Sequence, residues 1–101
     1  MASKKVGLHE AALAEAQATY DWYATRNPAA AEAFIDELDD AMKQIGMFAD
    51  AGPAHVSGTR RYVMRRFPFT VIYREQQRTL EVIAVAHARR KPDYWKERVK
   101  N

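Results

Sequence analysis

The chain has 101 residues and no cysteine. That length supports one core and a single domain over residues 1–101, and the missing thiols exclude a disulfide scaffold or a thiolate-bound zinc. The net charge of +3 is uneven: residues 1–50 carry four Lys/Arg against nine Asp/Glu, a net of −5, and residues 51–101 carry twelve against four, a net of +8. The basic half suits an acidic protein segment or nucleic acid, with an ordinary solvated surface as the plainer alternative. No stretch nears the ~20 apolar residues of a membrane span, and Met1 to Lys5 leads into no apolar secretory segment. A cytoplasmic location without a membrane partner is expected.

In chain order, Val6 to His9 is a short strand candidate, with Val6 and Leu8 on one face. Glu10 to Thr25 turns helical. Leu13, Ala16, Tyr20 and Tyr23 recur at spacings of three and four, and the alanines favour a helix intrinsically. Arg26-Asn27-Pro28 ends it, with Asn27 a good N-cap and Pro28 suited to the first position of a new helix. This second helix runs to about Phe48. Its stripe is Ala31, Phe34, Leu38, Ala41, Ile45 and Phe48, widened by Ile35 and Met42, and its other side carries Glu32, Asp36, Glu37, Asp39 and Asp40. The tight junction at Asn27 folds the helices into an antiparallel hairpin.

Asp50 to Gly58, with two glycines and Pro53, reads as a loop. Strands are expected at Arg60 to Arg66, Phe69 to Arg74 and Thr79 to His87, with turns at Phe67-Pro68 and at Glu75 to Arg78. The last strand is apolar on both faces, which argues for a central place in the sheet. Arg65 and Arg66 charge the end of their strand, as suits a protected edge. Counting chain directions sets the first strand antiparallel to the second and fourth. The fold class is α+β in two layers: an N-terminal strand, an antiparallel helix hairpin, then a three-stranded antiparallel meander, with the hairpin on one sheet face.

No metal constellation is visible, because His9, His55 and His87 are scattered. The glycines are isolated and the two serines form no nucleophile elbow, so no cofactor is expected. Chemistry-bearing residues gather instead around the last strand. His87, Arg89, Arg90, Arg61 and Tyr94 are the types that metal-free RNA cleavage requires, namely proton carriers and anion holders. The plainer reading has His87 capping the strand and Arg89 or Arg90 stacked on Tyr94 or Trp95. Pro92 to Trp95 reads as a turn into a short helix, with Trp95 and Val99 folding back as anchors. Trp22 and Tyr23 pack within the hairpin or line a partner groove.

Taken in order, these segments resemble one family. Ala16 to Tyr23 followed by Asn27-Pro28-Ala29-Ala30 and Phe34 is similar to the helix hairpin of RelE/ParE-superfamily toxins from bacterial toxin–antitoxin systems, often called plasmid stabilisation proteins. Arg60-Arg61, Arg66-Phe67-Pro68-Phe69, Val71-Ile72-Tyr73-Arg74 and Ile83 through Trp95 resemble its sheet. The resemblance implies a toxin neutralised by a cognate antitoxin. RelE-like members cut mRNA in the ribosome, whereas ParE-like members inhibit DNA gyrase. Arg61, Arg65, Arg90 and Tyr94 fall near RelE-like site positions. No lysine lies between Lys43 and Lys91, however, which leaves that proton-transfer set incomplete unless His87 serves. The Ala-His-Ala-Arg-Arg ending is closer to the ParE branch, so gyrase inhibition leads and a ribosome-dependent mRNA endoribonuclease follows. A weakly toxic homologue that chiefly binds its antitoxin is the third reading. The resemblance implies target contacts at Arg65, Arg66, Arg89, Arg90 and Lys91. It implies antitoxin contacts at Trp22, Tyr23, Arg61 and Arg74, and catalytic roles for Arg61, His87, Arg90 and Tyr94 only in the ribonuclease reading. No metal is implied.

Overall fold

A computed structural model describes residues 4–99. Its elements are β1 Val6–Leu8, α1 Glu10–Arg26, α2 Pro28–Met47, β2 Arg60–Val63, β3 Phe69–Gln76 and β4 Thr79–His87, followed by a 3₁₀ turn at Lys96–Val99. The four strands form one sheet in the order β1-β4-β3-β2, so β4 is interior as its apolar faces require. Asn27 closes one helix and opens the next. Its N–H donates to the Tyr23 carbonyl at 2.6 Å, and its side-chain oxygen accepts from the Ala30 N–H at 3.3 Å.

The expected direction of β1 is wrong. β1 pairs with β4 in parallel, Val6 beside Leu80 and Leu8 beside Val82, and β2 therefore also runs parallel to β1. The count assumed that α1 reverses the chain. Instead α1 keeps the heading of β1: His9 N–H donates to the Val82 carbonyl at 2.9 Å, Glu15 reaches Val85, and Thr19 and Trp22 lie by His87. α2 makes the return, and its end meets the start of β1, where Lys4 N–H donates to the Gly46 carbonyl at 2.9 Å. β2 then starts from that same end.

Other boundaries shift for local reasons. β2 stops at Val63 rather than Arg66, because the Glu37 carboxylate on α2 accepts the N–H groups of Arg65 and Arg66 and takes them off the ladder. β3 runs on to Gln76, and the turn shrinks to Gln77-Arg78, both with positive φ (51° and 70°), the geometry of a two-residue hairpin. On α1 the buried face is Ala12 and Ala16, and Leu13 is 54% exposed. Phe48 lies beyond α2 and is 48% exposed.

The helix hairpin covers one sheet face, where Phe34, Leu38, Ala41 and Ile45 of α2 meet Val71, Tyr73, Leu80, Val82 and Val85. A bulge in β4 leaves Ile83 without a partner in β3, between Val82 beside Tyr73 and Ala84 beside Ile72. Ile72, Ile83 and Ala84 then form a smaller cluster with Trp95, which the tail lays over the sheet. Gly52 sits under Tyr73, where any Cβ would fall 2.2 Å from the phenol oxygen.

Candidate functional site

Two turns distant in sequence meet at one end of the sheet. The β2–β3 turn is pinned to α2 by Glu37, whose carboxylate takes the Arg65 and Arg66 N–H groups and lies 3.5 Å from the Arg66 guanidinium. The segment after β4 joins it directly, Ala88 N–H donating to the Pro68 carbonyl at 2.8 Å. Arg65, Arg66, Arg89, Arg90 and Lys91, all exposed, thus share one basic rim. Among the described residues only Arg66 of these five has a carboxylate within 4 Å of its side-chain cation. Exposed guanidiniums held by ordered backbone suit an anionic surface on another molecule.

The structure also gathers Arg61, His87, Arg90 and Tyr94 around one groove of about 290 Å³ on the open sheet face. Their chemistry there is constrained. His87 Nδ1 accepts the Arg89 N–H at 3.0 Å, so the neutral ring carries its proton on Nε2. Its ring meets Phe69 edge-on at 5.0 Å. Tyr94 donates its hydroxyl to Glu15 at 2.5 Å. Burial, then the Glu15 carboxylate, pushes the phenol well above its ordinary pKa. Arg90 stacks over the Tyr94 ring at 3.9 Å, as the plainer sequence reading has it. His87 caps its strand, and Tyr94 is a poor proton carrier at neutral pH.

Beside the rim, Ala18, Thr19, Trp22, Tyr23, Phe69 and His87 line an apolar hollow of about 430 Å³. Trp22 does not pack inside the hairpin: it is 53% exposed, with the Arg26 guanidinium 4.0 Å above its ring. Tyr23 does, its ring 5.3 Å from Phe67 and 6.1 Å from Phe34. Arg61 borders both the open-face groove and a second apolar groove beside Phe48 and Val63. Arg74 is turned inward, 3.4 Å from Glu81 and donating to the Val99 carbonyl at 3.4 Å.

Sequence reasoning missed Glu15, Glu37 and Arg98. Glu37 reads as one of the charges on the outer side of α2, and the partners of all three lie 15 to 83 residues away. The one available signal was Glu15's place between the small residues Ala12 and Ala16, on the flank of α1 that faces the sheet.

The sequence profile of the family described as ParE toxin of type II toxin–antitoxin system, parDE, matches residues 6–92. Among curated proteins no sequence matches. A solved structure titled as the chromosomal ParDE toxin–antitoxin system from P. aeruginosa superposes with a TM-score of 0.74 at 21% identity. The superposition covers 84% of this chain and 96% of that one, and shows the shared fold. With the profile spanning most of its length, the chain belongs to the ParE toxin family, within the RelE/ParE superfamily.

Proposed function

We propose that this protein acts in the cytoplasm as the toxin of a two-protein module, arresting growth by blocking DNA gyrase until a cognate antitoxin masks it. The supporting observation is the basic rim of Arg65, Arg66, Arg89, Arg90 and Lys91, coupled with family membership over residues 6–92. An inhibitor needs a binding surface and no proton-transfer pair. The rim supplies the first, and the internal bonds of His87 and Tyr94 argue against the second.

The antitoxin segment is acid-rich and amphipathic, matching the exposed cations with its charges and the hollow at Trp22 and Tyr23 with an apolar anchor. Arg61 is exposed and can join that contact. Arg74 already engages Glu81 and the tail, so its contribution is indirect. Co-expression with the neighbouring reading frame should yield a complex that survives purification, and separate elution at low salt would count against it.

The RelE-like reading rests on the groove that gathers Arg61, His87, Arg90 and Tyr94. It requires the Tyr94 hydroxyl to leave Glu15. Purified protein tested in parallel for inhibition of gyrase supercoiling and for mRNA cleavage on translating ribosomes decides between the two.

A further inference from the structure

β4 is longer than the strand beside it. β1 pairs only with Leu80 to Val82, so among the described residues the outer edge of β4 beyond Val82 has no strand neighbour. Two side chains occupy that edge. Glu15 accepts the Val85 N–H at 2.9 Å, and Arg98 donates to the Ile83 carbonyl at 3.1 Å. The same Glu15 carboxylate accepts both terminal nitrogens of Arg98, at 3.0 and 2.9 Å, and the Tyr94 hydroxyl. One carboxylate therefore ties α1, the β4 edge and the tail together. Both charged partners are largely sealed from water, with side-chain exposures of 15% for Glu15 and 18% for Arg98. Charge-assisted bonds in such a setting are strong and directional.

The chain of contacts continues outward to the rim. Tyr94, held by its hydroxyl, offers its ring to Arg90 at 3.9 Å, and Arg98 lies 5.1 Å from the same ring. Arg90 has no carboxylate within 4 Å among the described residues, so the Tyr94 ring is the contact that orients it. We infer that Glu15 is a positioning residue: through Tyr94 it sets the Arg90 guanidinium in the rim that meets the target. This rests on the proposed role of the rim in toxicity. A helix that reads as scaffold thus carries, on its inner flank, a residue that governs the outward geometry of the site.

The test uses the full chain with titrated expression in cells, where growth inhibition is read whatever the target proves to be, and the purified protein for antitoxin affinity. Glu15→Gln keeps the shape of the side chain but replaces one acceptor oxygen with a donor and removes the charge. Tyr94→Phe keeps the ring under Arg90 and removes only the hydroxyl. Each should weaken growth inhibition roughly tenfold while antitoxin affinity stays within about threefold, the scale of losing one or two bonds to a charged group. The deciding readout is additivity. In an Arg90→Ala background, Glu15→Gln should cause little further loss, because its effect passes through Arg90. Full additivity, or an unchanged Glu15→Gln phenotype beside an inactive Arg90→Ala, overturns the positioning role and leaves the rim proposal standing. An Arg90→Ala protein with undiminished toxicity overturns both. Should Glu15→Gln fail to fold, Tyr94→Phe alone and with Arg90→Ala provides the same comparison.

Discussion

Trp95→Ala is the perturbation whose cost follows most directly from the packing. Trp95 is 2% exposed and closes a cluster with Ile72, Ile83 and Ala84, with the His55 ring tilted against it at a centroid distance of 5.7 Å. Those three residues face the tail, so its loss uncovers the open side of the sheet. Truncating a buried tryptophan costs roughly 3–5 kcal/mol, a large share of the ~5–15 kcal/mol that holds a domain folded. At about 4–8 °C per kcal/mol for a domain near this size, even the lower figure lowers the melting temperature by roughly 12 °C. Trp95→Phe, which keeps an apolar ring, should lose less than half of that. Circular dichroism melts of the free protein provide the assay. A Trp95→Ala midpoint within roughly 4 °C of the parent, about 1 kcal/mol, would refute the reasoning. The ring would then be an interface group that happens to rest on the sheet.

The rim gives the opposite pattern. Arg89→Ala/Arg90→Ala should abolish growth inhibition and leave the melting temperature nearly unchanged, with antitoxin affinity within about tenfold; an unfolded double variant would make the arginines structural. Gly52→Ala should destabilise by roughly 2–3 kcal/mol in urea titration, because its Cβ would crowd the Tyr73 phenol and the Arg61 carbonyl, breaking the Tyr73 bond to the Ala49 carbonyl. Acid should loosen the tail. Burial works to raise the Glu15 pKa, but bonds from Arg98, Tyr94 and Val85 outweigh it and hold the carboxyl below its ordinary value. Its stabilising effect is therefore complete above the ordinary glutamate range and lost as pH falls through the depressed folded value. Denaturation midpoints titrated across the carboxylate range should fall more steeply for the parent than for Glu15→Gln, and equal slopes would count against a stabilising role for the Glu15 carboxylate.

What the sequence disclosed was whatever a short window contains. The α2 stripe from Ala31 to Ile45 is buried as its period demands, and the Asn27-Pro28 junction caps both helices. β4 reads as interior because no face of it is polar. Trp95 and Val99 fold back as their apolar character suggests. The failures share one cause. Leu13 outranks Ala12 in any hydropathy pattern, yet Ala12 is the one buried in the core and Leu13 faces out. Glu15 and Glu37 look like ordinary surface acids until the fold brings orphan N–H groups to them. The heading of β1 depends on how α1 crosses the sheet, which no local pattern encodes. The rim itself was legible as arginine pairs, but not the contact between Ala88 and Pro68 that unites them.

The proposed activity is inhibition of gyrase by a rim that binds without cleaving. Adding purified protein to a gyrase supercoiling reaction, with and without the antitoxin, tests it most directly. Supercoiling should stop, antitoxin should restore it, and mRNA on translating ribosomes should stay intact at the same concentration. Undisturbed supercoiling alongside codon-positioned mRNA cuts would contradict it and return Arg61, His87, Arg90 and Tyr94 to a catalytic role.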